Sequence, residues 1–169
     1  MIAELIRNIV PNISPMVNPD VNGQPLPFTF YTGTLDEINR IDNPSSPCIV
    51  LPRPIVGRDI LHHSGVAGTN YQIKLFYFIQ SRLDMSMAER EAGLAKLIKA
   101  KDHFTKLLID KINSAAEDAM VDTTQLEFFG RINSSKHEEM FNEDDANLDG
   151  IVHLLDIDTA KNTCSFFLS

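Results

Sequence analysis

One stretch in the middle of the chain constrains the fold more than any other, because a strand pattern is followed directly by a helix pattern. Residues 71–80 read Tyr-Gln-Ile-Lys-Leu-Phe-Tyr-Phe-Ile-Gln, so successive side chains alternate between two faces. One face is wholly apolar or aromatic and comprises Tyr71, Ile73, Leu75, Tyr77 and Ile79. The other face is apolar only in its middle. This pattern predicts a central strand with helices on one side and a partly covered surface on the other.

The residues after this strand predict a long amphipathic helix. Ser86-Met-Ala-Glu89 is a capping box, and apolar residues then recur at helical spacing as far as Ala116. The apolar arc comprises Leu94, Leu97, Ile98, Phe104, Leu108, Ile109, Ile112, Ala115 and Ala116. The opposite side carries Lys96, Lys99, His103, Lys106 and Asp110. Lys101 lies inside the arc and must reach solvent or an acid, whereas Leu107 lies on the polar side, as a partner contact would.

The flanking segments supply the remaining elements. Residues 1–10 carry one apolar stripe and predict a short helix that Pro11 ends. Residues 11–27, rich in Pro and Asn, predict an extended arm, and the Gly-containing residues 57–70 predict an exposed loop or hairpin arm. Strands are predicted over 28–32, 48–51 (short or at an edge, because prolines bracket it), 125–132, 151–157 and 164–168. Short helices are predicted over 35–41, after the capping box Thr34-Leu-Asp-Glu37, and around 135–141.

These elements predict an α+β fold. We expect a mostly antiparallel sheet of about four to six strands, one long helix packed across it and a short N-terminal helix. The 169 residues fit a single domain over 1–169, with 133–149 as an acidic loop. No stretch approaches the roughly 20 apolar residues that span a bilayer, so we expect no membrane partner. The two cysteines, Cys48 and Cys164, predict free buried thiols in a reducing compartment.

Charge is unevenly distributed along the chain. The net charge is −8, and residues 117–169 contain 12 acidic residues against Arg131, Lys136 and Lys161. The other residues together are therefore close to neutral. This distribution argues against broad nucleic-acid binding, which needs a basic surface. An acidic surface attracts a basic protein partner or a cation, or simply keeps the protein soluble.

The most specific motif is a partial match to a calcium-binding EF-hand loop. Residues 145–156 place Asp145, Asn147, Asp149 and Gly150 at loop positions 1, 3, 5 and 6, and Asp156 at position 12. Asp is shorter than the usual Glu at the last position, and the following segment is strand-like rather than helical. An acidic turn leading into a strand, with Gly150 at the turn, explains the same residues.

No set of residues predicts catalysis, so we expect no enzyme, cofactor or metal site. His62-His63 are adjacent, so their side chains diverge, and no ligand cluster lies nearby in sequence. Cys48 follows a proline in an apolar run, which predicts a buried thiol rather than a nucleophile. The central aromatic residues favour core or interface packing over RNA stacking, since Lys74 is the one basic residue among them.

In the order of its elements, the chain resembles the small α+β proteins that complete the neck of tailed bacteriophages, the tail-terminator and head–tail joining group. The resemblance rests on residues 2–9, Cys48-Ile-Val-Leu-Pro-Arg-Pro54, residues 71–80 leading into 86–116, and residues 148–155. It is one of architecture, because the group has almost no fixed motif. The long Pro/Asn-rich segment and the acidic final third depart from its pattern.

This resemblance implies a structural virion protein without catalysis. It implies a homo-oligomeric ring, commonly of about six or twelve subunits, that contacts neck, portal or tail proteins while DNA passes through without sequence-specific binding. A basic helix face, Lys96, Lys99 and Lys106, would meet the acidic third of the next subunit. The alternative is a calcium-binding interaction module that uses Asp145, Asn147, Asp149 and Asp156. An enzyme of unrecognised type is the third and weakest hypothesis.

Overall fold

The computed structural model describes residues 2–17, 25–34, 37, 47–63, 65–81, 84–121, 127–141 and 148–161. Its helices are α1 (Ile2–Ile9), a 3-10 turn (Val10–Asn12) and α2 (Met87–Val121). Its strands are β1 (Met16–Val17), β2 (Pro25–Leu26), β3 (Thr29–Thr34), β4 (Cys48–Arg53), β5 (Val56–His62), β6 (Gly65–Gln80), β7 (Glu127–Met140) and β8 (Leu148–Lys161). The fold is α+β, as the sequence predicts.

A six-stranded sheet organises the molecule around β6. The order is β3-β4-β6-β8-β7, and β5 also pairs with β6. On one side of β6, β5 pairs with Gly65–Gln72 and β4 pairs with Phe76–Phe78. On the other side, β8 pairs with β6 from Gly68 to Gln80. Only the β3–β4 pair is parallel among the described strands. The sheet is therefore mostly antiparallel, with β6 at its centre, as its unbroken apolar face predicts.

Both helices pack on one face of this sheet, which we call the helix face. The odd-numbered residues of β6 from Ile73 to Tyr77, those of β8 from Ile151 to Ile157, and Ile49 and Leu51 of β4 point into this layer and are buried. α2 contributes Leu94, Leu97, Phe104, Leu108 and Ile112, and α1 contributes Ile2, Ile6 and Ile9. Each fully buried aliphatic side chain contributes about 1.5–3 kcal/mol by leaving water, so this layer dominates stability.

Both capping boxes form as predicted. The Ser86 amide donates to the Glu89 carboxylate at 2.8 Å, and the Glu89 amide donates back to the Ser86 hydroxyl at 3.3 Å. The same exchange joins Thr34 and Glu37, at 2.7 and 3.3 Å. Each box satisfies amide donors that a helix start otherwise leaves unpaired. Apart from Glu37, the helix predicted over 35–41 lies outside the described residues, as does the strand predicted over 164–168.

The predictions for the polar segments were wrong in two places. Residues 133–140 form the second half of β7, so neither an acidic loop from 133 nor a helix around 135–141 is present there. Their polarity has a physical reason, because β7 pairs only with β8 among the described residues and all of 133–140 are exposed. A strand at a sheet edge does not need an apolar face.

Two predictions left alternatives that the structure decides. The Gly-containing segment 57–70 is the hairpin arm and not the loop, because β5 and the start of β6 form a hairpin whose register shifts between Ile60 and Leu61. β4 is the short strand and not an edge strand, since β3 covers one side of its six residues and β6 the other. Its ladder with β6 covers only Cys48–Val50, so Pro47, Pro52 and Pro54 fall outside that ladder, while Pro52 lies opposite Gly33 in the ladder with β3. Of the arm predicted over 11–27, residues 18–24 lie outside the described residues.

We expect Gly150→Ala to destabilise the fold, because β6 leaves no room for a side chain at Gly150 of β8. An added Cβ would lie 2.6 Å from both the Phe78 ring and the Tyr77 carbonyl oxygen, closer than packed atoms allow. Overpacking of this kind costs about 1–3 kcal/mol, which urea unfolding would measure. Gly93→Ala is the matched control, since its Cβ meets the flexible end of Ile79 and alanine favours helix. Equal losses for the two variants would contradict this account.

Candidate functional site

The most concentrated polar cluster lies between α2 and the sheet, inside the apolar layer. His153 of β8 is fully buried there, with its Nε2 2.8 Å from the Ser135 hydroxyl and its Nδ1 3.4 Å from the Tyr77 hydroxyl. The Phe104 ring meets the His153 imidazole edge-on, with ring centroids 6.1 Å apart. Both ring nitrogens therefore have a polar neighbour, which is what a buried imidazole requires.

This imidazole is neutral at physiological pH. Burial, with smaller contributions from the nearby Lys101 and His137, lowers the pKa of His153 from 6.5 to about 3. Ser135 beside His153 has the atoms of a nucleophile–base pair, but a histidine with so low a pKa is a weak base near pH 7. On its other nitrogen the neighbour is the Tyr77 hydroxyl instead of a carboxylate, which would be needed to stabilise an imidazolium. The arrangement serves packing better than catalysis.

Lys101 lies next to this cluster and forms an ion pair, as its position in the apolar arc requires. Its side chain is buried, the residue being 7% exposed, and its Nζ lies 2.7 Å from a carboxylate oxygen of Asp102. The same Nζ lies 3.5 Å from Nδ1 of His137 on β7. Asp102 neighbours Lys101 on α2, so the His137 contact is the one that joins the middle of α2 to the outer strand of the sheet.

Asp149 is a second buried charge, near the start of α2. It is fully buried, and its Oδ1 lies 3.7 Å from the Arg90 guanidinium. Among the described residues, neither of its carboxylate oxygens has a hydrogen-bond partner. Burying a charge is costly unless it is paired, so the Arg90 contact compensates for the burial of Asp149 and ties α2 to β8.

The two described acids of the EF-hand pattern, Asp149 and Asp156, are not brought together. Asp149 and Asp156 both lie in β8, which is extended from Leu148 to Lys161. Asp149 faces the helices, whereas Asp156 lies on the opposite face, where Asn70 and Asn133 donate to its carboxylate. Asp145 and Asn147 lie outside the described residues. Gly150 sits within the strand, paired with Phe78, and not at a turn.

Asp156 belongs to a hydrogen-bonded group at one end of the sheet face that lies opposite the helices. The Asn70 amide donates to Asp156 and, at 2.8 Å, to Asp158, while the Asn133 amide donates to Asp156 at 3.0 Å. Partial burial raises the pKa of Asp158, but the amide donors and Arg131 outweigh that effect and lower it overall. The acids here are satisfied within the chain.

None of the other described residues discussed next, which the sequence analysis singled out, forms part of a reactive site. Cys48 is fully buried, as predicted, and burial raises its pKa to about 11, so it is an inert thiol. Leu107 is no partner contact but packs against the core close to Ile9, because α1 widens the buried side of α2. Ile109 is 43% exposed and does not belong to the buried arc. Among the described residues no group of three or more potential ligands converges for a metal ion.

The second face of the sheet, which we call the open face, carries an apolar surface that no described helix covers. Its centre is formed by half-buried Phe76, Phe78, Val152 and Leu154. The Phe76 and Phe78 rings are stacked at 6.0 Å and 15°, and the absence of a side chain at Gly150 leaves room for Phe78. A groove of about 650 Å³ crosses this face between Ile55 and Lys136. This apolar surface is a candidate interaction site.

The β5–β6 hairpin adds a second exposed apolar surface. Leu61, close to the hairpin turn, is 76% exposed, and Val56 at its base is 58% exposed. Among the described residues only β6 pairs with β5, so the outer edge of this strand has unpaired backbone groups. Such edges are places where another chain adds a strand.

Comparison with known proteins adds no assignment. No protein-family model matches this chain, and no curated protein matches it in sequence. Neither of the described helices combines the length and the apolar content needed to cross a bilayer. The function must therefore be argued from the surfaces and the buried groups themselves.

We expect the stability of the protein to fall between pH 6.5 and pH 4 because of His153. Its folded pKa, about 3, lies below the ordinary 6.5, so in this window the unfolded chain binds a proton that the folded chain does not. The stabilisation is complete above pH 6.5 and is lost by about 1.4 kcal/mol per pH unit as the pH falls. Urea unfolding at several pH values would measure how steeply the free energy of unfolding depends on pH. This dependence should be shallower for His153→Gln than for the wild type, and an identical dependence would contradict the buried neutral imidazole.

Proposed function

We propose that this chain is a structural subunit that assembles as a ring at the head–tail junction of a tailed bacteriophage. The observation that carries the proposal is the distribution of polar and apolar groups. The polar groups inside the fold contact other groups of the same chain. Apolar side chains, in contrast, remain on the open face and on the β5–β6 hairpin. A chain with this distribution is better suited to binding other subunits than to chemistry.

A ring requires two different surfaces that complement each other. Lys99 and Lys106 are exposed on α2, and Glu139 is exposed on β7, on the opposite side of the sheet from the open face. Because these charges lie on different elements, contact between them joins α2 of one subunit to β7 of the next. A head-to-tail contact of this type closes into a ring when its rotation is a fraction of a full turn.

The remaining parts of the proposal follow from the same class of assembly. The ring would contact portal or tail proteins through the hairpin, and DNA would pass through it without sequence-specific contacts. The acidic C-terminal third supports this passage, because negative charge repels the phosphate backbone. The protein would act in the virion, after assembly in the host cytoplasm, and no catalytic step is assigned to it.

We expect reversal of the basic face of α2 to block assembly. The triple change Lys96→Glu, Lys99→Glu and Lys106→Glu places negative charge against the acidic surface of the next subunit, and like charges across an interface cost several kcal/mol. Light scattering after size exclusion should show a lower mass than for the wild type, and negative-stain images should lose rings with a central hole.

The matched control is the triple change to arginine, which keeps the charge and should keep the rings. A circular dichroism spectrum with the wild-type helix signal establishes that the glutamate variant is folded. An oligomer of unchanged mass in the glutamate variant would overturn the head-to-tail contact.

A further inference from the structure

The open face has a register that makes it complementary to itself. Two neighbouring rows of side chains cross it, each from β7 over β8 to β6. One row is Glu138, Val152 and Phe76, and the next is Lys136, Leu154 and Lys74. The rows lie two residues apart along the strands, about 6.8 Å. Each row has an apolar centre, and the two rows differ in their charges.

The charges in these rows are not satisfied within the described part of the chain. Lys74, Lys136 and Glu138 are exposed, and no ion pair or hydrogen bond joins any of their side chains to another described residue. The acid one row further along, Asp156, differs from them, because the Asn70 and Asn133 amides donate to its carboxylate. The two rows around Leu154 therefore hold the unpaired charges next to the apolar centre of the open face.

We infer that the open face binds the open face of a second copy of this chain, around a two-fold axis that crosses the strands midway between these two rows. Such an axis lays each row on the other row of the second copy. Glu138 then faces Lys136, Val152 faces Leu154, and Phe76 faces Lys74. Every contact occurs twice, as a two-fold interface requires.

Each pair of facing residues is chemically matched. Glu138 and Lys136 have opposite charges, which complement each other at the rim of an interface. Val152 and Leu154 bury apolar surface at its centre, and the Lys74 ammonium meets the face of an aromatic ring. Two sheets that pack face to face lie about 10 Å apart, so side chains from both fill the space between them.

Two other two-fold axes on the same face match its side chains less well. An axis along β8 would place Lys136 against Lys74 of the second copy, two cations together. An axis one row further towards Asp156 would place Leu154 against Asp156 and so bury a carboxylate against an apolar side chain. The charges therefore favour the axis midway between the two rows over both of these alternatives.

This contact goes beyond the proposed ring, because it uses the open face and not the outside of α2. If rings form, the contact joins two of them back to back and doubles the mass. If the head-to-tail contact does not form, two chains still pair, at twice the mass of one 18.9 kDa chain. The two contacts are therefore separable by mutation.

The test is a charge swap followed by sedimentation equilibrium over a range of protein concentrations. Lys136→Glu alone places two carboxylates together across the two-fold axis, and Glu138→Lys alone places two ammonium groups together. We expect each single change to weaken face-to-face association at least about tenfold. The double variant Lys136→Glu/Glu138→Lys restores opposite charges and should return to within a few-fold of the wild type.

Lys111→Glu is the matched control, since it makes the same charge change at an exposed residue of α2 away from the open face. It should leave the association unchanged, and circular dichroism establishes the fold of every variant. Association that the double variant does not recover would overturn the two-fold arrangement. The arrangement would also be overturned by a wild-type chain that stays at the mass of one chain and binds a thymidine oligonucleotide through Phe76. That result would make the open face a nucleic-acid surface.

Discussion

The structure depends on the burial of one face of a two-strand unit, β6 paired with β8, beneath a single long helix. The Tyr77 ring stands at the centre of this layer and contacts Phe28, Phe104 and the His153 imidazole edge-on or at a tilt. Because aromatic rings fill much volume and fix each other's orientation, this group sets where α2 crosses the sheet. The contact of Lys101 with His137 and the ion pair of Arg90 with Asp149 hold α2 at two further points along its length.

The same constraint leaves the opposite face of the sheet for other contacts. α1 and α2 both lie on the helix face, so among the described residues no helix covers Phe76, Phe78, Val152 and Leu154. The hairpin and the outer strand β7 extend the sheet on either side of this surface. A polar cluster inside the fold and an apolar surface outside it are the observations that support the proposed assembly subunit.

The sequence predicted the elements whose side chains are buried, but it did not predict the strand segment whose side chains are exposed. The alternation in residues 71–80 predicted β6 and its buried face because burial demands apolar side chains at every second position. The second half of β7 was missed because an exposed edge strand has no such demand. The alternation in β8 also indicates that His153 is buried, because this histidine shares a face with Ile151 and Leu155, which both lie in the core. The calcium pattern was misleading, since spacing along an extended strand puts Asp149 and Asp156 on opposite faces.

The central claim, that this chain associates through defined surfaces, is tested most directly by lysine labelling and mass spectrometry at low and at high protein concentration. The account predicts that Lys74 and Lys136 react more slowly at high concentration, because a second copy covers them. Lys111, away from the open face and from the basic face of α2, should react at the same rate at both concentrations. Equal labelling of all three lysines at every concentration would contradict the claim.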